Sequence, residues 1–370
     1  MRIGRIFIQI GAMPRKRKIL RRMSGLVLCA GLGFFAYSHF IKKTFPALDC
    51  ERHEITVAGQ RIVGVEDMAF DKAQNTIYLS AYDRRTGAAG GLYRFSSPDF
   101  SDLEKLNTPG APLTPHGFDL TRRGTQLSLS VIDRDLSSEA EIAARLRLFK
   151  WSDEAPEFTE VKLDTGNANL CNANDLISGA EAGTYFITVD HESCKYRGRK
   201  FENVFNPNSA SVLFLDLKRD PVAETRFAEL YFANGIVAPF GPHGEVIIAE
   251  TRKKRLSISW EKTGPLKREN RVKLPSGPDN ITVHQGEMGP ELWVALHPNL
   301  MSFGAYRAGW KRKSQSRVAR VDNDGNMNVY DIPSEIISGA TTALQAGDRL
   351  YLSGAFDTAI ASCSLPSATS

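Results

Sequence analysis

The chain has 370 residues, a length that suits two ordinary domains or one large fold and excludes a small disulfide-stapled module. Hydrophobic residues make up 42% and charged residues 24%, which excludes a wholly disordered chain. The net charge is +5, but residues 1–43 contain ten Lys and Arg and no Asp or Glu. The rest of the chain therefore carries −5, which argues against nucleic-acid binding by the main body.

The first predicted element is a transmembrane helix. Residues 24–41 form an apolar run without Asp, Glu, Lys or Arg, just long enough to span a hydrocarbon core. Basic residues precede this run, so the positive-inside rule places a basic tail, 1–23, in the cytoplasm and the body on the other side. Residues 42–49 then form a linker. A cleaved signal peptide is the alternative, and the body would then be secreted.

Export makes the cysteines of the body candidates for disulfides. An even number remains outside the apolar run, which permits two bridges: Cys50, Cys171, Cys194 and Cys363. A bridge between Cys50 and Cys363 would tie the two ends of the body together. A bridge between Cys171 and Cys194 would close a local loop. Four free, buried thiols are the alternative.

Residues 50–364 contain six copies of one pattern, in which a polar turn separates a short apolar run from a stronger apolar strand. The copies lie at 68–81, 117–131, 176–189, 236–250, 281–296 and 341–354. Further strands follow at 90–96, 144–151, 210–217, 255–260, 316–322 and 359–365. This repetition predicts an all-β fold, a six-bladed β-propeller, with a short tail at 365–370. Segments 195–209 and 303–317 are expected to be an insertion near the channel mouth and a solvated loop.

Polar side chains precede five of the six hairpins, and in each of the five one of them lies eleven or twelve residues before an apolar residue of the second strand. They are Glu66, Asp67, His116, Asn174, Asp175, Asn234, Asp279 and Asn280. Because the first strand of each blade lines the channel of a propeller, we expect these side chains to meet at one mouth. Oxygen ligands of this kind suit Ca²⁺ better than zinc or copper. Capping of the turns between blades is the alternative role.

Several motifs taken together resemble the paraoxonase/arylesterase family. They are GVEDMAF (64–70), PHGFDL (115–120), NANDLI (172–177), FANGI (232–236), DNITV (279–283) and ELWVALHPN (291–299). The resemblance covers residues 48–364 and implies a six-bladed propeller with two calcium ions in its channel. It also implies an end-to-end disulfide between Cys50 and Cys363. The gluconolactonase propellers are similar in architecture.

The resemblance also implies roles for individual residues. The ligands of a catalytic calcium would be Glu66, Asn174, Asn234, Asp279 and Asn280. Those of a structural calcium would be Asp67, Asp175 and the carbonyl oxygen of Phe118. His116 matches the histidine that activates water, but the family's second histidine is missing and Asp133 lies in the matching stretch. Asp133 could orient His116, the base could be lost, or His191 beside Asp190 could serve instead.

These features predict a calcium-dependent hydrolase of lactones or aryl esters, in which calcium polarises the carbonyl group and His116 activates water. The sequence has no G-x-S-x-G motif, P-loop or dinucleotide-binding glycine pattern, which disfavours a serine hydrolase and nucleotide chemistry. A membrane-anchored, calcium-stabilised scaffold that binds proteins in a chaperone-like way is one alternative, and a gluconolactonase-like sugar lactonase is another. The expected partners are a small ester or lactone and the membrane, without nucleic acid.

Overall fold

The computed structural model describes residues 44–365, with gaps at 136–141, 153–154, 164, 166–168, 206, 220–222, 242–243 and 260–270. The chain divides into two compact units, residues 1–45 and 46–370, and only residues 44 and 45 of the first unit are described. The predicted tail at 1–23 and the anchor at 24–41 lie outside the described residues. Within the described part of the chain, no helix is long and apolar enough to cross a membrane.

Six four-stranded antiparallel sheets form the blades of a β-propeller, as predicted. Blades one to three are Val65–Asp71, Thr76–Asp83, Ala88–Ser96, Glu104–Lys105; Pro115–Arg123, Gln126–Asp135, Ala143–Ser152, Ala155–Val161; and Ala173–Ser178, Thr184–Val189, Ala210–Asp216, Ala223–Leu230. Blades four to six are Ala233–Val237, Val246–Glu250, Arg255–Ser259, Arg271–Lys273; Gly277–Gly286, Gly289–His297, Ser316–Val321, Met327–Ile332; and Ala340–Ala346, Arg349–Gly354, Ala359–Ser364, Cys50–Glu54. A small hairpin pairs Thr56–Val57 with Gln60–Arg61.

The first strand of each blade lies innermost. These six strands contact one another in chain order, and the first strand of blade six contacts that of blade one, which closes the ring. Six buried apolar clusters hold the blades together, and each is shared by two adjacent blades. Trp293 of blade five, for example, is fully buried with Leu350 and Leu352 of blade six. The apolar runs thus pack between blades, and the channel is left to polar residues.

Blade six is completed by the beginning of the body. The strand Cys50–Glu54 pairs antiparallel with Ala359–Ser364 and places Cys50 opposite Cys363. A disulfide joins these two cysteines, as predicted, and a second one joins Cys171 to Cys194. The second disulfide settles the question that the sequence left open.

Two helices lie where loops were expected. Helix α1 (Tyr196–Phe205) occupies the predicted insertion, which lies between the second and third strands of blade three, and helix α2 (Leu300–Arg307) overlaps the start of the segment predicted as a solvated loop. The Asn299 side chain caps α2 by accepting a hydrogen bond from the amide of Ser302 at 2.9 Å. One 3₁₀ turn spans Thr251–Lys253. Both helices are short, so tertiary contacts decide whether they form.

Candidate functional site

A β-bulge interrupts the inner hairpin of all six blades at the same depth. The residues that these bulges leave without an opposite partner are Glu66, His116, Gly117, Asn174, Asp175, Asn234, Gly235, Asp279, Asn280 and Thr341. A bulge frees backbone from the ladder and turns side chains out of the normal alternation. Two consecutive residues of one strand can therefore both lie on the channel side, whereas side chains of a regular strand alternate between its two faces.

The bulges of neighbouring blades touch each other. A Cβ atom on Gly117 would lie 2.6 Å from both the carbonyl oxygen of Asn174 and Oδ1 of Asp175. A Cβ atom on Gly235 would lie 2.7 Å from Cα of Asn280. Only glycine permits such close approach, so the glycines after His116 and Asn234 allow the polar residues of the next blade to come close. The eight polar side chains predicted from the register are all buried.

Blades one, four, five and six meet through direct polar contacts. Nδ2 of Asn234 donates to the carboxylate of Asp279. Nδ2 of Asn280 donates to the backbone carbonyl oxygen of Glu66 at 3.1 Å, and Oγ1 of Thr342 donates to the same oxygen at 2.7 Å. Burial raises the pKa of the Glu66 carboxyl, against attraction from a nearby arginine, and the charge of Asp279 adds to the increase. The predicted mouth of oxygen donors is therefore assembled in the fold.

Two further carboxylates are buried among backbone amides. Asp67 accepts from the amides of Met68 at 2.8 Å and Phe118 at 3.2 Å, and Asp175 accepts from the amide of Ile236 at 2.9 Å. Burial raises the pKa of Asp67 to about 7 despite these hydrogen bonds. Burial, together with the negative charge of Asp67, raises the pKa of Asp175 well above its usual value. The two acids thus lie close enough to repel each other when both are ionised.

His116 contacts an arginine that the sequence reasoning missed. Nη2 of Arg84 lies 2.9 Å from Nδ1 of His116 and 3.1 Å from Oε2 of Glu66. Because a guanidinium group only donates, Nδ1 is the acceptor in this contact. Nε2 of His116 has no hydrogen-bond partner among the described residues. Burial, and then the positive charges of Arg134 and Arg84, lower the pKa of His116 well below its usual value, so the ring is neutral near pH 7.

Asp133 is held by other groups. Its carboxylate accepts from the amide of Thr114 at 2.9 Å and from Arg145 at 3.1 Å, and Arg147 lies 3.5 Å away. No hydrogen bond joins it to His116 within the described part of the chain. The carboxylate beside His116 is instead that of Glu66, whose Oε1 lies 3.8 Å from Nδ1. The contacts therefore give no support to Asp133 as the orienting partner of His116.

His191 pairs with the preceding aspartate, as its place in the sequence suggested. Nδ1 lies 2.6 Å from Oδ1 of Asp190, and Nε2 lies 3.1 Å from the side-chain amide of Asn203 on α1. Burial opposes ionisation of Asp190, but Arg199 and His191 outweigh it and lower the pKa below its usual value. Asn174 donates to the other oxygen of Asp190 at 3.3 Å. Both ring nitrogens are thus engaged, whereas His116 keeps Nε2 open.

The missed Arg84 shares a second register with Asp190 and His297. In each blade the second strand runs antiparallel to the first, so its end reaches the mouth where the first strand begins. Arg84 and Asp190 directly follow second strands, and His297 ends one, with Nε2 only 2.7 Å from Oδ2 of Asp279. Polar residues at the ends of second strands are a signal that could have identified Arg84.

The donor set is suited to a hard cation. No three His, Cys, Asp or Glu side chains of the described residues gather closely enough to form a metal site by themselves. The residues predicted to bind the catalytic calcium are not a group of that kind, because three of the five are asparagines. Among them, Oδ1 of Asn234 is buried without any hydrogen-bond partner. An orphaned amide oxygen beside the Asp279 carboxylate is the arrangement that an oxygen-seeking ion such as Ca²⁺ would satisfy.

Comparison with known proteins identifies the fold. No protein-family model matches the chain, and no curated protein sequence matches it. A solved candidate gluconolactonase superposes with a TM-score of 0.52 and 14% sequence identity, covering 87% of this chain and 94% of that one. The soluble aldose sugar dehydrogenase of Escherichia coli superposes with a TM-score of 0.50 and 11% identity, covering 85% and 99%. At these identities the likeness shows the propeller fold and leaves membership of the paraoxonase/arylesterase family unconfirmed.

Proposed function

We propose that the protein hydrolyses lactones or aryl esters at the mouth of its channel. The observation that carries this proposal is the buried set of oxygen donors with an unsatisfied Asn234 Oδ1, placed in the same ring of bulges as His116. Clusters of buried polar groups with shifted pKa values in a cleft are typical of catalytic sites. The resemblance in sequence motifs supports the same chemistry.

The residues that would hold a catalytic calcium ion are those predicted: Glu66, Asn174, Asn234, Asp279 and Asn280. When bound there, calcium would supply a Lewis acid that polarises the carbonyl group of the substrate. The neighbouring pair Asp67 and Asp175, with the carbonyl oxygen of Phe118, would hold the second ion. Burial raises the pKa of both carboxylates. A cation bound beside them would stabilise their ionised forms.

The proton chemistry is assigned to His116. While Arg84 donates to Nδ1, the neutral ring carries its hydrogen on Nε2 and can only donate it to a substrate oxygen. If Glu66 Oε1, now 3.8 Å away, takes the place of Arg84, Nδ1 gains a proton from solvent and donates it to Glu66 while Nε2 releases its own, so that the Nε2 lone pair becomes available to water. Water then loses a proton to Nε2 and adds to the carbonyl carbon. Cleavage of the C–O bond follows, and the departing oxygen takes the proton from Nε2.

The test is hydrolysis of several lactones and phenyl acetate by the full-length chain, with calcium and after chelation. We expect activity with calcium, loss on chelation and recovery on return of the ion. Asn234→Ala removes the orphaned oxygen, and we expect kcat/KM to fall at least about a hundredfold, the scale seen for loss of one preorganised polar group in a site. Asn234→Asp keeps an oxygen at that position and is the matched control.

The outcomes separate the candidate functions. Unchanged activity in Asn234→Ala, with the calcium dependence intact, would contradict the proposed site. No hydrolysis by the wild type, together with a melting temperature that calcium raises, would favour the calcium-stabilised protein-binding scaffold. Preference for sugar lactones over aryl esters would favour the gluconolactonase-like alternative.

A further inference from the structure

Arginine side chains gather at the mouth on the side of blades two and three, around Asn174. Arg134, near the end of the second strand of blade two, donates through Nη2 to the carbonyl oxygen of Ala173 at 3.3 Å. Arg199 of helix α1 places Nη2 3.6 Å from Oδ2 of Asp190, the oxygen that accepts from Asn174. Two guanidinium groups from different blades therefore flank one predicted ligand residue.

The charges of these arginines are incompletely neutralised. Among the described residues, Asp190 is the one carboxylate within 4 Å of Arg199, and Arg134 has none. Burial, and the positive charges of Arg134 and Arg307, lower the pKa of Arg199 to about 10 against the attraction of Asp190. The guanidinium group of Arg199 therefore stays charged at neutral pH.

The cluster also contains hydrogen-bond donors without acceptors. Nε of Arg134 and Nε of Arg199 are both buried and have no hydrogen-bond partner. Water cannot easily supply one at Arg199, because that residue is only 7% exposed. Nε of Arg84, which lies beside His116, is in the same condition. Buried polar groups in folded proteins are nearly always hydrogen-bonded, so such a set of donors indicates a missing acceptor. Neighbouring guanidinium groups suit an acceptor with two or three oxygens.

We propose that Arg134 and Arg199, here called the arginine cluster, bind an oxyanion group on the substrate. The hydrolysed lactone or ester would therefore carry a carboxylate or a phosphate besides the bond that is cleaved. Guanidinium forks match both groups in bidentate geometry. This inference rests on the proposed hydrolase function, because it names the substrate class of the same site. Arg84 is not included, since it already contacts His116 and Glu66.

The test compares matched substrates with the full-length chain in calcium. One lactone carries a neutral alkyl side chain, a second carries a carboxylate at the same ring position, and a third carries a phosphate. We expect kcat/KM for an anionic lactone to exceed that for the neutral one by about tenfold or more, the usual strength of one charge-assisted hydrogen bond. Whichever anion is preferred identifies the source of the oxyanion. Equal or better hydrolysis of the neutral lactone would overturn the proposal.

Variants assign the preference to the arginine cluster. In Arg134→Gln the ratio of kcat/KM for the anionic and neutral lactones should fall about tenfold, and in Arg134→Lys it should fall less, because the charge remains. Arg349→Gln is the control, since Arg349 is a half-buried arginine of blade six with a single neutral partner, Ser362 at 2.8 Å. A ratio that is unchanged in Arg134→Gln, or changed equally in Arg349→Gln, would overturn the assignment.

Direct binding separates this inference from the proposed function. Calorimetric titration with a hydroxydicarboxylate, the product of a carboxylate-bearing lactone, needs no turnover. Binding by the wild type that weakens about tenfold in Arg134→Gln would support the arginine cluster even if no lactone is hydrolysed. Hydrolysis of neutral lactones without any binding of the dicarboxylate or of inorganic phosphate would support the hydrolase function. The same result would refute oxyanion binding by the arginine cluster.

Discussion

The two disulfides should differ in their contribution to stability, because they close loops of very different length. Replacement of Cys50 and Cys363 by alanine opens a loop of 313 residues, and replacement of Cys171 and Cys194 opens one of 23. The loop-entropy model gives about 6 kcal/mol for the long loop and about 3 kcal/mol for the short one at 25 °C. The two pairs are well matched, because each has one buried and one half-buried cysteine.

The assay is equilibrium unfolding of the two double-alanine variants and the wild type in guanidinium chloride. We expect the free energy of unfolding to fall by about 2–3 kcal/mol more when the end-to-end disulfide is removed, at similar m-values. An equal loss in both variants would refute the reasoning, since it would show that the length of the closed loop does not set the contribution of each disulfide. A smaller loss for the long loop would refute it more directly.

Two matched pairs of variants test the close backbone packing at Gly235 and the buried ion pair between Arg255 and Glu250. Gly235→Ala places a methyl group 2.7 Å from backbone atoms of blade five and should lower the free energy of unfolding by at least about 2 kcal/mol. In Gly304→Ala, on α2, the new methyl group meets nothing within 4 Å and should raise the free energy of unfolding by about 0.5–1 kcal/mol. Thermal unfolding measures both. Arg255→Met leaves the fully buried Glu250 without its ion-pair partner and should cost about 3–5 kcal/mol, whereas loss of the exposed Arg94–Glu104 pair should cost about 1 kcal/mol or less. Similar melting temperatures for either matched pair of variants would contradict these expectations.

Most of the fold could be predicted because its repeat is local. Each hairpin combines two apolar runs with a polar turn, and that signal lies within about fifteen residues, as in 68–81. The blade count, the strand positions and the end-to-end disulfide followed and are confirmed. Helices α1 and α2 were missed because each has only a few buried positions, so neither shows strong helical periodicity.

The site could be predicted only in part. The ligand register appeared in the sequence because the bulges repeat at one depth and place Asn234 and Asp279 at equivalent positions. Arg134 and Arg199 could not be found in this way, because one belongs to a second strand and the other to a helix. Their meeting at Asn174 depends on how blade three and α1 pack, which no local pattern encodes. The calcium ions and the role of His191 as a base stay predictions.

The shared blade six has a consequence for synthesis. Ribosomes make the strand Cys50–Glu54 about 300 residues before Ala359–Ser364, the strand that it must flank. Until the last strand emerges, the earliest one has no neighbour and presents an unpaired edge. A chain that ends before residue 359 would therefore keep an unpaired strand edge in blade six and would be prone to proteolysis or aggregation. The ring can therefore close only after Ala359–Ser364, the last strand of blade six, has been synthesised.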